Sequence, residues 1–259
     1  MNQYSHRYSV TASDIDAQYR ITPTAFLMYF QDCFARYFSC LHIAQFDLIK
    51  EHRILAITEC ELDTLPVETL WSEEVEVTVW ISEFSPVRMY ADFIFVKADT
   101  NEMMAKGSSC WCLINSETRG LERTDILSDR IGLLDKRMTE SHRKKKFPID
   151  GEIMKEIRHQ VNLLDLDFNG HVNNRSYLSI AMLTATDDFL LHNRMQHLSI
   201  HWQHETYSDD ELRCTLKRVS DNEYVHTLVN KENKVAAEIY SVWQPIEVLA
   251  DIAEVIERK

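Results

Sequence analysis

The sequence predicts an α+β protein made of one unit written twice, each copy an antiparallel sheet wrapped around a long central helix. Three observations lead there. Residues 7–27 lie over 158–178 without a gap, at an offset of 151 that puts Asp14 on Asp165. Each copy then enters an apolar stretch of helical period, and each such stretch is followed by four extended segments rich in β-branched and aromatic residues.

Within the overlaid register Arg, Val, two Asp and Leu are identical, and Ile15/Leu166, Ile21/Val172, Ala25/Ser176 and Phe26/Tyr177 are similar. Both copies reach a helix start at the same place, Thr22-Pro23 and Asn173-Asn174, where Thr and Asn suit the N-cap and Pro the first turn. In the first helix Leu27, Phe30, Phe34, Tyr37 and Leu41 recur at helical spacing, and Tyr29, Cys33 and Phe38 widen the stripe, so most sides need cover. The second, Tyr177 to Ala185, has little polar surface before Asp187-Asp188 and reads as equally long and buried.

The strands are expected at 54–62, 74–81, 88–96 and 105–114, then at 198–204, 212–219, 224–229 and 235–243. Ala105/Trp111 and Ala237/Trp243 mark the last strand of each set. Consecutive strands on short turns make an antiparallel sheet, and an apolar helix must lie against its inner face. That is a tandem hotdog layout, with domains at 1–130 and 151–259. Polar residues 116–150 read as the crossover, its linker proper at 131–150, and 247–257 as a terminal amphipathic helix.

With 45% apolar and 27% charged residues, and five each of Gly and Pro, the chain has a globular composition. A formal net charge of −13 argues against nucleic-acid binding, because phosphate would be repelled. The basic run His142 to Lys146 is expected as a solvated linker, with docking of an acidic partner as the sharper alternative. No stretch reaches the roughly 18 apolar residues of a membrane helix, and the N-terminus lacks a signal-peptide core. A cytoplasmic protein without stable membrane association is therefore expected. Six cysteines, Cys33, Cys40, Cys60, Cys110, Cys112 and Cys214, form no CxxC pair and are expected as free or buried thiols.

Chemistry concentrates in the segment from Asp165 to Asn174, which packs acidic and amide side chains around His171 just before a buried helix. A turn feeding a helix N-terminus offers N–H groups and a dipole that favour a developing oxyanion. The first copy has Asp16, Gln18 and Arg20 where the second has Asp167, Asn169 and His171. Arg cannot exchange a proton near neutral pH and His can, so only the second copy is expected to be chemically competent. The first is left to hold substrate or complete the fold. Asp165, Asn173 and Asn174 read as turn and cap residues.

The second half resembles the acyl-acyl carrier protein (acyl-ACP) thioesterases, whose Asp-x-Asn-x-His-Val-Asn-Asn segment matches Asp167, Asn169, His171, Val172, Asn173 and Asn174 in order and spacing. Trp111 to Arg119 is similar to the family's Trp-containing strand and the turn after it, so the likeness covers nearly the whole chain. The resemblance also implies a catalytic Glu on the strand after the second helix, which falls on Glu205. The next position, often Cys in the family, is Thr206, so a cysteine nucleophile there is ruled out; Cys214 lies on the next strand without motif support.

Implied with the family are hydrolysis of fatty acyl-ACP, the carrier protein as partner, and no metal or cofactor. Glu205 or Asp167 would activate water, or a carboxylate would attack to form a transient anhydride. The preferred assignment makes Glu205 the base, has His171 polarise the reacting groups and Asn169 orient them, and gives Asp167 the turn and its electrostatics. His201, His204 and His171 show no HxH or HExxH spacing and thioester hydrolysis needs no metal, so no metal site is expected. An acyl-CoA thioesterase and a non-catalytic acyl-binding or regulatory hotdog protein are the alternatives. Aromatic residues from Phe26 to Phe38 suit either an acyl tunnel or a packed core. Two fused copies supply what single hotdogs obtain by dimerising, so a monomer and a homodimer are both compatible with the sequence.

Overall fold

The computed structural model describes residues 1–139 and 146–248. Most of the basic run and all but the start of the terminal segment, His142 to Lys145 and residues from 249 on, lie outside them. The chain divides into two compact units, and Asp16–Thr24 group with the second unit rather than the first. No helix among the described residues is long and apolar enough to cross a membrane.

The first unit holds β1 (Tyr4–Ser9), α1 (Pro23–Cys40), α2 (Gln45–Leu48), β2 (Arg53–Thr64), β3 (Glu74–Ser85), β4 (Arg88–Lys97), β5 (Met103–Asn115) and β6 (Leu121–Glu122). Its sheet runs β1-β3-β4-β5-β2 with every pairing antiparallel, and β6 adds to β5. Helix α1 buries Phe26, Phe30, Phe34 and Phe38, whose rings meet Phe95, Phe93 and Trp111 of β4 and β5 at centroid distances of 4.6 to 5.5 Å. Burying such side chains contributes about 1.5–3 kcal/mol each, which holds the helix against the sheet. Gly107 on β5 lets the strands close over this layer: a Cβ there would lie 2.4 Å from the Phe93 ring. The aromatic residues of α1 thus find ring partners in core packing.

The second unit repeats the design with β7 (Glu152–Gln160), α3 (Asn174–Met182), α4 (Asp187–His192), β8 (Asn193–Trp202), β9 (Glu211–Arg218), β10 (Glu223–Val229) and β11 (Val235–Pro245). Its order, β7-β9-β10-β11-β8, is that of the first unit strand for strand. Trp111 and Trp243 even donate to the same partner, Ser109 Oγ at 2.9 Å and Ser241 Oγ at 3.0 Å.

One expectation fails here. The second helix is not long: α3 has nine residues and stops at Met182, with Leu183 exposed. The Thr184 hydroxyl donates back to Ala181 O at 2.7 Å, and Thr186 caps α4 by accepting from Phe189 N. Two threonines whose hydroxyls compete with the helical ladder end one helix and start another within a stretch of continuous apolar period.

Candidate active site

The site is built from two segments of the second unit, the turn before α3 and the loop after β8. Backbone bonds stitch them together. Val172 N–H donates to Thr206 O at 2.8 Å, Val161 N–H to Asp210 O at 2.9 Å, and His171 and Tyr207 form an isolated antiparallel bridge. Between them the buried Tyr177 hydroxyl of α3 donates to Thr206 Oγ1 at 2.9 Å. Burial pushes that phenol up to about 12, so it stays a protonated donor at neutral pH.

Asp167 shapes the turn. Its Oδ1 accepts from Asn169 N–H at 2.8 Å and His171 N–H at 3.3 Å, while its carbonyl takes Gly170 N–H at 3.1 Å. Gly170 sits at φ 77°, a left-handed position suited to glycine. The Asn169 side chain is exposed, its Nδ2 3.4 Å from Asp167 Oδ2. Asp165 and Asn162 form a capping box, and Asn173 caps α3 by accepting from Arg175 N–H at 2.9 Å, so these are framework residues.

This framework alters one element of the expected chemistry. The N–H groups of Asn169, Gly170, His171, Val172, Asn173, Arg175 and Ser176 all have acceptors within the chain. These seven N–H groups are therefore already engaged within the chain, unlike the unpaired donors expected of a turn that receives an oxyanion.

His171 and Glu205 come together, with Nδ1 3.7 Å from Oε1 and both side chains partly exposed. That exceeds a hydrogen bond and lies within ion-pair reach when the imidazole is protonated. Glu205 does not lie on a strand. Pairing of β8 with β11 ends at Trp202, and the next two N–H groups, of Gln203 and His204, both turn to Ala236 O, so the chain peels away and Glu205 stands in the loop.

Sequence reasoning missed Tyr207. Its hydroxyl donates to Glu205 Oε2 at 3.0 Å, and its ring meets the His171 ring edge-on at 4.9 Å and 89°. The available signal was its place two residues after Glu205, on the same side of an extended segment. Thr206 is fully buried with its hydroxyl engaged by Tyr177, which removes it as a nucleophile. Cys214 on β9 is buried, and its thiol is pushed up to about 12. His201 stacks on Phe147 at 4.1 Å and His204 Nδ1 lies 2.8 Å from Val235 O, so both histidines are engaged outside the pair.

A sheet-and-helix unit repeated with identical strand order defines a tandem hotdog protein. Residues 1–129 match the acyl-ACP thioesterase N-terminal domain and residues 149–245 the acyl-ACP thioesterase C-terminal domain, and the chain belongs to that family. The chloroplastic palmitoyl-acyl carrier protein thioesterase of Arabidopsis thaliana is 24% identical over 177 residues, 64% of this chain and 42% of that one. Oleoyl-acyl carrier protein thioesterase 2 of the same plant is 24% identical over 168 residues, 61% and 46%. This chain thus spans less than half the length of these curated relatives. Among solved structures, an acyl-ACP thioesterase from Bacteroides thetaiotaomicron VPI-5482 superposes with TM-score 0.83 at 16% identity, over 93% of this chain and 98% of that one. The 12:0-ACP thioesterase from Umbellularia californica does so at 0.81 and 16%, over 94% and 98%. At such identities these superpositions establish the shared fold.

Proposed function

We propose that this chain hydrolyses the thioester of fatty acyl-ACP to a free fatty acid and the carrier thiol, in the cytoplasm, with Asp167, Asn169, His171 and Glu205 as its site. The approach of His171 Nδ1 to Glu205 Oε1 at 3.7 Å carries this reading, because it pairs a proton-transfer group with a carboxylate beside an open turn. Family membership supports the substrate class.

In this mechanism Glu205 takes a proton from water as the oxygen attacks the thioester carbonyl. His171 and the Asn169 amide stabilise the oxyanion that forms. Collapse breaks the C–S bond, and the leaving thiolate takes a proton from the Glu205–His171 pair, which balances the hydrolysis. Asp167 keeps the turn in shape and contributes its charge.

An acidic enzyme needs basic groups to meet an acidic carrier. Lys217 donates to Ile149 O at 3.2 Å and Arg218 pairs with Glu152 at 2.7 Å, so these two are already engaged. Of the basic run and these two, exposed Lys146 is the remaining candidate among the described residues, and Arg143 to Lys145 lie outside them.

The test is single-turnover release of fatty acid from acyl-ACP by the full chain. Glu205→Ala and His171→Ala are each expected to lower the rate by about 10²–10⁴-fold. Full turnover in both variants would overturn the assignment. Competition between matched acyl-ACP and acyl-CoA separates the two carriers.

A further inference from the structure

We propose that Tyr207 is a positioning residue that occupies one carboxylate oxygen of Glu205, leaving the other for His171 and the attacking water; this role rests on the hydrolase reading above. The geometry divides the carboxylate. Oε2 accepts from the phenol at 3.0 Å, whereas Oε1 faces His171 Nδ1 at 3.7 Å. A carboxylate held at one oxygen cannot swing freely about its last torsion, so the reactive oxygen keeps one direction.

Tyr207 is well placed to impose this. Its backbone bridges His171, its N–H donates to Asp210 Oδ2 at 3.1 Å, and its carbonyl accepts from Asp210 N–H at 3.3 Å. Asp210 is itself tied to Lys231 at 3.2 Å. The ring edge against His171 limits the imidazole as well.

The first unit supplies an internal control, because its loop after β2 repeats the loop after β8. Glu68, Thr69, Leu70 and Glu73 stand where Glu205, Thr206, Tyr207 and Asp210 stand in the second. Leu70 N–H donates to Glu73 Oε2 at 2.8 Å, Glu73 N–H returns to Leu70 O at 3.2 Å, and Lys97 pairs with Glu73 at 3.2 Å. Thr69 and Thr206 are both fully buried, and Ser72 and Asp209 share left-handed φ values of 69° and 71°. The frame therefore closes around a leucine. A half-exposed phenol is not needed to build it, and Tyr207 stands only in the copy that has the histidine.

Among the described residues His171 faces Glu205 from the turn and the Tyr207 phenol meets it from its own loop, and the charges of Asp210, Glu205 and Asp167 all act on Tyr177 of α3. Of these the phenol donates directly, and donation to a carboxylate favours its charged form. Removing the donor weakens that preference, so the acid limb of the rate profile moves to higher pH.

The experiment compares the full chain with Tyr207→Phe, which keeps the ring edge, and Tyr207→Leu, the residue this frame accommodates in the first unit. Tyr207→Phe is expected to lower kcat on acyl-ACP about 5–20-fold, between the effect of an exposed ion pair and that of a buried hydrogen bond to a charged group, with KM changed less than about twofold. Its acid limb should rise by about half a pH unit or more. Tyr207→Leu should fold normally and lose more. A Tyr207→Phe enzyme with a superimposable pH profile and a rate within about twofold of the unaltered chain overturns the proposal. Should the unaltered chain turn over neither acyl-ACP nor acyl-CoA, the hydrolase reading falls by itself. A carbon-13 titration of the Glu205 carboxyl then decides the contact: a midpoint raised in Tyr207→Phe supports it, and an unmoved midpoint removes it.

Discussion

Residues 16–20 and 167–171 fold into the same turn with different chemistry. In each an aspartate Oδ1 takes the N–H groups two and four residues on, Gln18 at 2.8 Å and Arg20 at 3.1 Å in one, Asn169 at 2.8 Å and His171 at 3.3 Å in the other. In each the aspartate carbonyl takes the N–H of a left-handed residue, Tyr19 or Gly170. The aspartate is thus turn-former first, because it does the same work where no chemistry is expected. What differs is the side chain at the end of the turn. Arg20 binds Asp16 and donates to the carbonyls of Leu190 and Asn193 near the end of α4, where a cation suits the helix dipole. His171 turns instead to Glu205.

The largest expected effect comes from erasing that difference. His171→Arg keeps a residue this turn accepts in the first copy but removes the proton carrier of the proposed mechanism. Release of fatty acid should fall by at least about 10²-fold, while the circular dichroism spectrum and melting temperature stay close to those of the unaltered chain. More than a tenth of the original rate would show that the arginine is not what silences the first turn.

Much of this pairing was legible in the sequence because the turn and the helix start keep one register over 21 residues. The correspondence between the two later loops was hidden. From Arg20 to Glu68 the chain runs fourteen residues further than from His171 to Glu205, so an ungapped offset cannot carry past the helix. Most of the shortening is the break after α3, and apolar period gives no warning of it: Leu183 and Ala185 continue the stripe, while the decisive bonds come from Thr184 and Thr186. Tyr207 was illegible for another reason. Its role depends on which oxygen of Glu205 it meets, a through-space fact that spacing does not encode. Strand positions, in contrast, were readable from composition alone, since all eight expected segments overlap a strand.

The helix break also changes the core beneath it. Phe93 on β4 packs against Phe30 of α1 at 4.6 Å, whereas the matching position of β10 is His226, whose Nε2 lies 3.0 Å from Thr184 Oγ1. Burial holds this imidazole down, at about 4, and its Nδ1 has no partner among the described residues. The unfolded chain gains a proton below about 6.5 that the folded chain refuses until about 4, so stability rises with pH through that window and is lost on acidification. The loss is on the order of 3 kcal/mol across the whole window. His226→Phe, which copies the first unit, should flatten this part of the urea-stability profile between pH 4 and 6.5. An unchanged slope would place the acid sensitivity elsewhere.

The smallest difference concerns one hydroxyl. Tyr177 satisfies the buried Thr206 Oγ1, but the first unit has Phe26 at the matching position, and Thr69 Oγ1 is buried without a hydrogen-bond partner among the described residues. A lost bond and an absent bond predict opposite signs. Tyr177→Phe should strand Thr206 as Thr69 is stranded and cost about 1–2 kcal/mol, whereas Thr69→Val replaces an unpaired hydroxyl by a methyl of similar shape and should be neutral or stabilise by up to about 1 kcal/mol. Urea denaturation of the two variants measures both. If Thr69→Val destabilised as much as Tyr177→Phe, the Thr69 hydroxyl would have a partner in solution, and the two loops would be equally satisfied despite their different aromatic neighbours.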